Sequence, residues 1–141
     1  MKPSPEAKAM VEGMVQDHLE HAATSLNDLA EIIHGRNVEA GWWTDLKTGQ
    51  PLDRNKGELI ALMHSELSEC LEGVRKSLPD DHLPQYSMEV CELADTIIRI
   101  CDYAGGFKLP LGEALVAKLE YNRNRADHKI SSRQSEGGKQ F

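Results

Sequence analysis

Apolar side chains recur every three to four residues along most of this 141-residue chain, which is the period of an α-helix. The pattern predicts helices over residues 5–35, 55–78, 87–104 and 110–129. The first stretch is either one helix or two helices with a break near Thr24. Aromatic residues are few and β-branched residues rarely cluster, so the sequence predicts an all-α fold.

The segments between and after these helices predict one domain with a long loop. Residues 36–54 contain Gly41, Gly49 and Pro51 without a clear period, and a loop of this length in a small domain is usually functional or mobile. Residues 131–141 form a polar tail. There is no internal repeat, and the length suits a single domain over residues 1–141 with a core of its own.

The same periodicity predicts which helix faces are buried. The predicted buried stripe of the second helix is Leu59, Met63, Leu67, Cys70, Val74 and Leu78. That of the third helix is Val90, Ala94, Ile97, Cys101 and Ala104. Glu92 and Asp95 fall on the opposite side of the third helix, which taken alone is typical of a solvated face.

Composition narrows the classes of function. The 16 basic and 23 acidic residues give a net charge of −7, which argues against a nucleic-acid polymer or an anionic membrane as partner. No apolar run approaches the ~20 residues of a membrane span, and the N-terminus lacks a signal-peptide core. Three cysteines without metal-type spacing are expected to be reduced, so the sequence predicts a cytoplasmic protein.

Two pairs of acidic residues lie in the second and third predicted helices. They are Glu66 with Glu69 and Glu92 with Asp95, and 22 residues separate the pairs. Residues three apart differ by ~60° around a helix axis, so both carboxylates of a pair point in a similar direction. If the two helices are antiparallel, four carboxylates converge, and such a group favours Mg²⁺, with Mn²⁺ as the alternative. The spacing is also common on solvated helices, so the pattern alone leaves both interpretations open.

The fourth predicted helix carries a row of basic and amide side chains. Lys118, Asn122, Arg125 and Lys129 follow at i, i+4, i+7 and i+11, which keeps them within a narrow arc. Such a row suits a phosphate chain, although cations also favour a helix C-terminus through its dipole. Metal-binding carboxylates and a phosphate-binding row in one small domain together predict metal-assisted hydrolysis of a phosphoanhydride.

With these motifs the sequence resembles the MazG-type all-α nucleoside triphosphate pyrophosphohydrolases. The resemblance rests on Glu66-x-x-Glu69, the 22-residue gap, Glu92-x-x-Asp95 and Lys118-Leu-Glu-Tyr-Asn122-Arg-Asn-Arg125, and it runs from about residue 25 to the C-terminus. The family implies a bundle of four to five helices that assembles as a homodimer or homotetramer. It also implies Mg²⁺-dependent cleavage of a nucleoside or deoxynucleoside triphosphate to the monophosphate and pyrophosphate. The chain has no Gly-x-x-x-x-Gly-Lys-Ser/Thr phosphate loop, which argues against a P-loop NTPase.

The resemblance also implies a role for each motif. The metal ligands would be Glu66, Glu69, Glu92 and Asp95. Glu69 would orient or deprotonate the water that attacks the α-phosphorus, and the departing pyrophosphate would be neutralised by Lys118, Asn122 and Arg125. Trp42 and Trp43 in the long loop are candidates to stack on the nucleobase, or else to plug the end of the bundle. Asn37 is a candidate hydrogen-bond partner of base or sugar, or else a cap or turn residue.

Two other classes of function compete with this interpretation. One is a non-catalytic helical dimerisation or nucleotide-binding module, against which the intact acidic quartet argues. The other is a di-metal redox bundle, suggested by the spacing of Glu31 and His34. Such bundles need this Glu-x-x-His motif twice, and the chain carries it once.

Overall fold

A computed structural model describes residues 4–125, 129–135 and 137. Its helices are α1 (Pro5–Glu39), α2 (Lys56–Lys76), α3 (Met88–Gly106), α4 (Leu111–Asn124) and α5 (Ile130–Arg133). With no strand among the described residues, the all-α class is confirmed. None of the described helices is both long and apolar enough to span a bilayer.

The long helix α1 runs without interruption past the position where the sequence left room for a break. Ser4 begins it, with its hydroxyl oxygen accepting a hydrogen bond from the backbone N–H of Ala7 at 3.2 Å. The hydroxyl of Thr24 donates to the carbonyl of Glu20 at 3.1 Å, which satisfies this polar side chain inside the helix. The helix continues to Glu39, four residues beyond Gly35, where the predicted helix ended.

The contacts between residues divide the described chain into two units. One comprises residues up to 26 and from 110 onward, and the other comprises residues 27–109. In the first unit, Gly112 at the start of α4 lies so close to the backbone of Ala23 that a Cβ there would collide with it. The second unit holds the C-terminal part of α1, the loop after it, and the pair α2 and α3.

Helices α2 and α3 pack against each other along their length as an antiparallel pair. Gly73, late in α2, meets the start of α3, because a Cβ at Gly73 would lie 2.9 Å from the Cβ of Met88. Glu66, earlier in α2, pairs with Arg99, further along α3. Caps hold both helix starts: Asn55 accepts from the backbone N–H of Glu58 at 3.0 Å, and Ser87 accepts from that of Val90 at 3.4 Å.

The buried faces of this helix pair differ from those that the periodicity predicts. Much of the predicted stripe of α2 is exposed, namely Leu67, Val74 and Leu78. On α3, Val90 and Ile97 are exposed by about half, at 52% and 51%. Glu66 and Glu92 are instead buried where the helices meet. The predicted burial is therefore confirmed for Leu59, Cys101 and Ala104. It is wrong for the exposed positions of the single chain, because the two helices turn their acidic sides toward each other.

The loop between α1 and α2 is folded back on itself. Gly41 and Gly49 have positive φ angles of 86° and 70°, which glycine adopts without steric cost. The Asp45 carboxylate accepts from the backbone N–H groups of Lys47 at 2.8 Å and Thr48 at 3.2 Å, and these bonds lower the pKa of Asp45. An isolated bridge joins Thr44 to Pro51. These contacts fix the path of the chain on either side of Trp42 and Trp43.

The C-terminal part departs from the single helix predicted over residues 110–129. Helix α4 ends at Asn124, and Arg125 has an extended backbone with a ψ angle of 132°. The short helix α5 takes up the start of the predicted tail, at Ile130–Arg133. Residues 136 and 138–141 of that tail lie outside the described residues, as do residues 126–128 of the predicted helix.

Candidate metal centre and adjoining cavity

Three of the four predicted metal ligands converge between α2 and α3. One carboxylate oxygen from each of Glu66, Glu69 and Glu92 lies within 4.8 Å of the others. The first two stand one turn apart on α2, and Glu92 faces them from α3. Glu66 and Glu92 are 6% and 8% exposed, whereas Glu69 is exposed to solvent. The group therefore has two buried carboxylates and one that reaches water.

Asp95, the fourth predicted ligand, stands beside this group rather than in it. Its carboxylate is not among the oxygens that lie within 4.8 Å of one another, although it lines the same cavity as Glu66. Burial raises the pKa of Asp95, and the charge of Glu66 raises it further, whereas the charge of Arg99 lowers it. Asp95 is thus close enough to Glu66 and Arg99 to feel both charges.

Burial, followed by hydrogen bonding and like charge, governs the protonation of Glu92 in this acidic group. The pKa of Glu92 is raised from 4.5 to about 7, first by burial and then by a hydrogen bond with Glu66. The negative charges of Glu69, Glu66 and Asp95 raise it further toward that value. Near neutral pH the metal-free group therefore shares a proton, which a divalent cation would displace.

Arg99 supplies a positive charge to the acidic group. Its Nε donates a hydrogen bond to Oε1 of Glu66 and forms an ion pair with it. The side chain of Glu66 is 8% exposed and that of Arg99 is 39% exposed, so the pair stands at the boundary between the protein interior and solvent. Arg99 lies four residues after Asp95 on α3, about one helical turn along the same side.

A cavity of about 480 Å³ opens beside the acidic group within the second unit. Its lining combines carboxylates, two arginines, an amide, a tryptophan and aliphatic side chains: Asn37, Trp42, Arg54, Glu58, Leu59, Leu62, Glu66, Asp95, Ile98, Arg99 and Asp102. The predicted nucleobase residues Asn37 and Trp42 thus share one cavity with two of the predicted metal ligands. Trp42 is 65% exposed, so its ring is open to a flat partner.

The neighbouring Trp43 is half-buried and is held by side-chain contacts instead. Its indole Nε1 donates to both carboxylate oxygens of Asp102, at 2.9 Å and 3.1 Å. His34 Nδ1 also contacts Asp102, at 2.9 Å, and the His34 ring meets the Trp43 ring edge-on at 4.8 Å between centroids. Phe107 packs against the other part of the indole at 5.7 Å. Trp43 therefore ties the loop to α1 and α3, and it is not among the residues that line the cavity.

Arg54 links this loop to the cavity. Its guanidinium donates to the carbonyl of Trp42 and stands 5.6 Å from the centroid of the Trp43 ring. Both contacts hold the backbone that presents Trp42. Arg54 could not be singled out from the sequence, because it lies in the aperiodic segment between two predicted helices.

The predicted phosphate-binding row belongs to the first unit. Lys118 and Arg125 both stand over the ring of Tyr121, at 4.9 Å and 5.7 Å from its centroid. Asn122 between them has a buried Oδ1 with no hydrogen-bond partner among the described residues. The acidic group belongs to the second unit, so the joint action of the row and the carboxylates stays a prediction.

The residues behind the redox alternative do not form a cluster of metal ligands among the described residues. His34 Nδ1 is engaged by Asp102, and Glu31 is exposed. Neither residue belongs to the group of three glutamates between α2 and α3 that could hold an ion. From the sequence, Asp102 and Arg99 could be recognised only as polar residues on the same side of the third helix as Glu92 and Asp95. Helix spacing alone does not tell whether a polar side of a helix is covered by another element.

Comparison with known proteins adds no relative to this picture. No protein-family model matches the chain, and no curated protein or solved structure does either.

Proposed function

We propose that this protein is a Mg²⁺-dependent hydrolase that cleaves a nucleoside or deoxynucleoside triphosphate to the monophosphate and pyrophosphate. The observation that carries the proposal is the convergence of carboxylate oxygens from Glu66, Glu69 and Glu92 within 4.8 Å, beside a cavity of about 480 Å³. The reaction itself is the one that the resemblance to MazG-type enzymes implies, and this arrangement of carboxylates supports it.

The donor set fits Mg²⁺, with Mn²⁺ as the alternative. All donors are carboxylate oxygens, which hard divalent cations prefer over softer metals. Burial and like charge raise the pKa of Glu92 and favour its protonated form. A cation bound among these carboxylates would relieve the same repulsion. Glu66, Glu69 and Glu92 would hold the ion, and Asp95 would adjoin it. When bound, the ion would draw charge from the phosphoryl oxygens and lower the pKa of a coordinated water.

Glu69 is the proposed base because it is the exposed member of the group. A general base must reach the water that it orients, and a carboxylate open to solvent on one side meets that condition. Glu69 would accept a proton from the water as its oxygen attacks the α-phosphorus. Glu66 and Glu92, enclosed between the helices, are suited to holding charge in a fixed position.

The two ends of the nucleotide have separate candidate partners. Trp42 would stack on the base, since its ring is open and lines the cavity, and Asn37 would offer hydrogen bonds to base or sugar. Trp43 would act through its bond to Asp102, by fixing the backbone of Trp42. Lys118, Asn122 and Arg125 would neutralise the departing pyrophosphate, as the resemblance to MazG-type enzymes implies.

We also propose that the protein works as a homodimer or homotetramer. Helix α3 exposes an apolar face at Val90, Leu93, Ala94 and Ile97, which follow the i, i+3, i+4, i+7 pattern of a helix interface. Helix α2 exposes a second apolar stripe at Ile60, Leu67, Leu71 and Val74, and the exposed Leu78 follows just after the helix. Among the described residues, the buried apolar side chains are Ala30, Leu59, Cys101 and Ala104. A second copy covering these faces would supply the apolar burial that this set lacks.

A panel of nucleoside and deoxynucleoside triphosphates tests the reaction. Pyrophosphate and the monophosphate should appear in equal amounts with Mg²⁺ present, and EDTA should stop their formation. Release of orthophosphate and a diphosphate would contradict attack at the α-phosphorus. Nucleotide binding without any turnover across the panel would favour the non-catalytic module.

We also propose that the protein works in the cytoplasm, in keeping with the free thiols of Cys70, Cys91 and Cys101.

A further inference from the structure

The guanidinium of Arg99, beside the acidic group, is held in a way that permits exchange. Arg99 pairs with Glu66 through Nε, which is one of five N–H donors on a guanidinium. The two Nη groups therefore still have N–H donors that a second acceptor could use. The side chain of Arg99 is 39% exposed and lines the cavity. Because the side chain of Glu66 is only 8% exposed, separating the pair would leave a buried negative charge unless another cation replaced Arg99. A divalent ion bound to Glu66 would be that replacement.

A divalent ion and Arg99 would compete for the same carboxylate. Glu66 is one of the three residues whose oxygens converge, and it is also the partner of Arg99. The charge of Arg99 lowers the pKa of Asp95 as well, which puts the guanidinium near two acidic side chains. A divalent ion between Glu66, Glu69 and Glu92 would repel a guanidinium bonded to one of its ligands.

We propose that Arg99 is an exchangeable counter-ion of the acidic group, which neutralises Glu66 while no divalent ion is bound and then turns to bind a phosphate oxygen of the nucleotide. This inference rests on the proposed function and adds to it a phosphate-binding residue within the second unit. The planar fork of arginine matches two oxygens of a phosphate, and the cavity that Arg99 lines leaves space for them.

Titration with Mn²⁺ in the absence of nucleotide tests the exchange. Removing the competing charge in Arg99→Gln should tighten Mn²⁺ binding by about 10-fold, because like charges near the ion are then fewer. The matched control is Arg75→Gln, which removes one positive charge from an exposed position ~9 Å further along α2 than Glu69 and should bind as wild type does. Unchanged or weaker Mn²⁺ binding in Arg99→Gln would show that Arg99 is a fixed support of Glu66 and would overturn the proposal.

Binding of a non-hydrolysable α,β-methylene triphosphate in the presence of Mn²⁺ tests the second step. Arg99→Gln should weaken this binding by about 10-fold, as expected for loss of a charge-assisted phosphate contact, and Arg99→Lys by less. An unchanged affinity in Arg99→Gln would remove the phosphate contact.

Wild-type structures keep the proposal testable if these variants do not fold. Crystals grown with EDTA should contain the bond from Arg99 to Glu66, and crystals grown with Mn²⁺ and the analogue should not. A bond retained in both would overturn the exchange. Failure of wild type to bind Mn²⁺ at all would instead contradict the proposed function and, with it, this inference.

Discussion

Burial distinguishes the carboxylates of the candidate centre at the scale of single residues. Glu66 and Glu92 are enclosed between two helices, and Glu69, on the same helix as Glu66, is open to water. Three glutamates of identical structure therefore differ in environment: two are enclosed, and the third is also open to a water molecule. The difference arises from the rotation of α2 against α3, because the spacing of Glu66 and Glu69 treats both alike.

Replacement of Glu69 by glutamine should remove turnover while leaving the fold intact. The amide keeps the shape of the side chain but cannot accept a proton, so we expect kcat to fall by at least ~100-fold. The helical circular dichroism and the melting temperature should stay close to those of wild type. Glu72→Gln is the matched control, since Glu72 lies one turn further along α2 and pairs with Lys76 at the surface. Full activity in Glu69→Gln would remove its assignment as the base.

The raised pKa of Glu92 predicts how the metal-free protein responds to pH. Its folded-state pKa of about 7 lies above the ordinary 4.5, so the folded protein holds a proton that the unfolded chain releases. Stability from this group is present below the ordinary pKa and is lost as pH rises toward 7. Glu92→Gln cannot lose that proton.

Melting curves in EDTA from pH 5 to pH 8 check this expectation. The melting temperature of wild type should fall relative to that of Glu92→Gln as pH rises, so that the variant gains most at pH 8. At pH 8, saturating Mg²⁺ should make the melting temperature of wild type higher than that of Glu92→Gln, because the ionised carboxylate of Glu92 would then bind the ion. Parallel curves for the two proteins in EDTA would contradict the raised pKa.

At the scale of helices, close approach of α2 and α3 brings the carboxylates together. Gly73 permits this approach, since a Cβ there would lie 2.9 Å from both Cβ and Cγ of Met88 and 3.2 Å from the backbone nitrogen of Glu89. These atoms belong to the first turn of α3, which has little freedom to move away. The capped start of α3 and the small residue of α2 therefore form one close contact.

A methyl group at Gly73 should separate the helices at this contact. We expect Gly73→Ala to lower the free energy of unfolding by about 1–3 kcal/mol, as overpacking does, and to weaken Mn²⁺ binding at Glu92, five residues into α3. Gly35→Ala is the control, because a Cβ at Gly35 meets no atom within 4 Å in the described structure. That variant should gain about 0.5–1 kcal/mol from helix propensity. Denaturant titration measures the free energy of unfolding of each variant. Equal changes in the two variants would contradict close packing at Gly73.

For the whole molecule, the distribution of apolar surface is the dominant feature. The second unit turns acidic side chains inward between α2 and α3 and leaves apolar stripes on the outer faces of both helices. This arrangement is the reverse of an isolated amphipathic pair in water. The second copy proposed above would restore the usual order by burying the apolar surface of those faces.

A charge on the outer face of α3 should dissociate the proposed assembly. Ile97→Glu puts a carboxylate at the C-terminal end of the stripe that Ile97 forms with Val90, Leu93 and Ala94, where burial without a partner is costly. We expect multi-angle light scattering to give the mass of a single chain for this variant and of two or four chains for wild type. Leu46→Glu is the control, since Leu46 is 83% exposed in the loop and lies outside both stripes. A wild-type protein that elutes as a single chain would contradict the assembly.

Several features of this protein follow from the sequence alone. The helix starts at Ser4, Asn55 and Ser87 and the helical class depend on contacts within four residues along the chain, which periodicity and capping residues make visible. The three-residue spacing within each acidic pair likewise fixes which carboxylates share a side of a helix. The length of α1 was only partly predicted, because the sequence did not decide between one helix and two.

Other features depend on how the helices turn toward one another. Helix spacing does not decide that Glu66, Glu69 and Glu92 meet while Asp95 stands beside Arg99, since that depends on the rotation of α3 against α2. Nor does it tell Trp42 from Trp43, which differ because the carboxylate of Asp102, 59 residues from Trp43, binds its indole. The local chain thus determined the elements and the chemistry available on each, whereas contacts between distant residues determined which groups lie together and which faces are exposed.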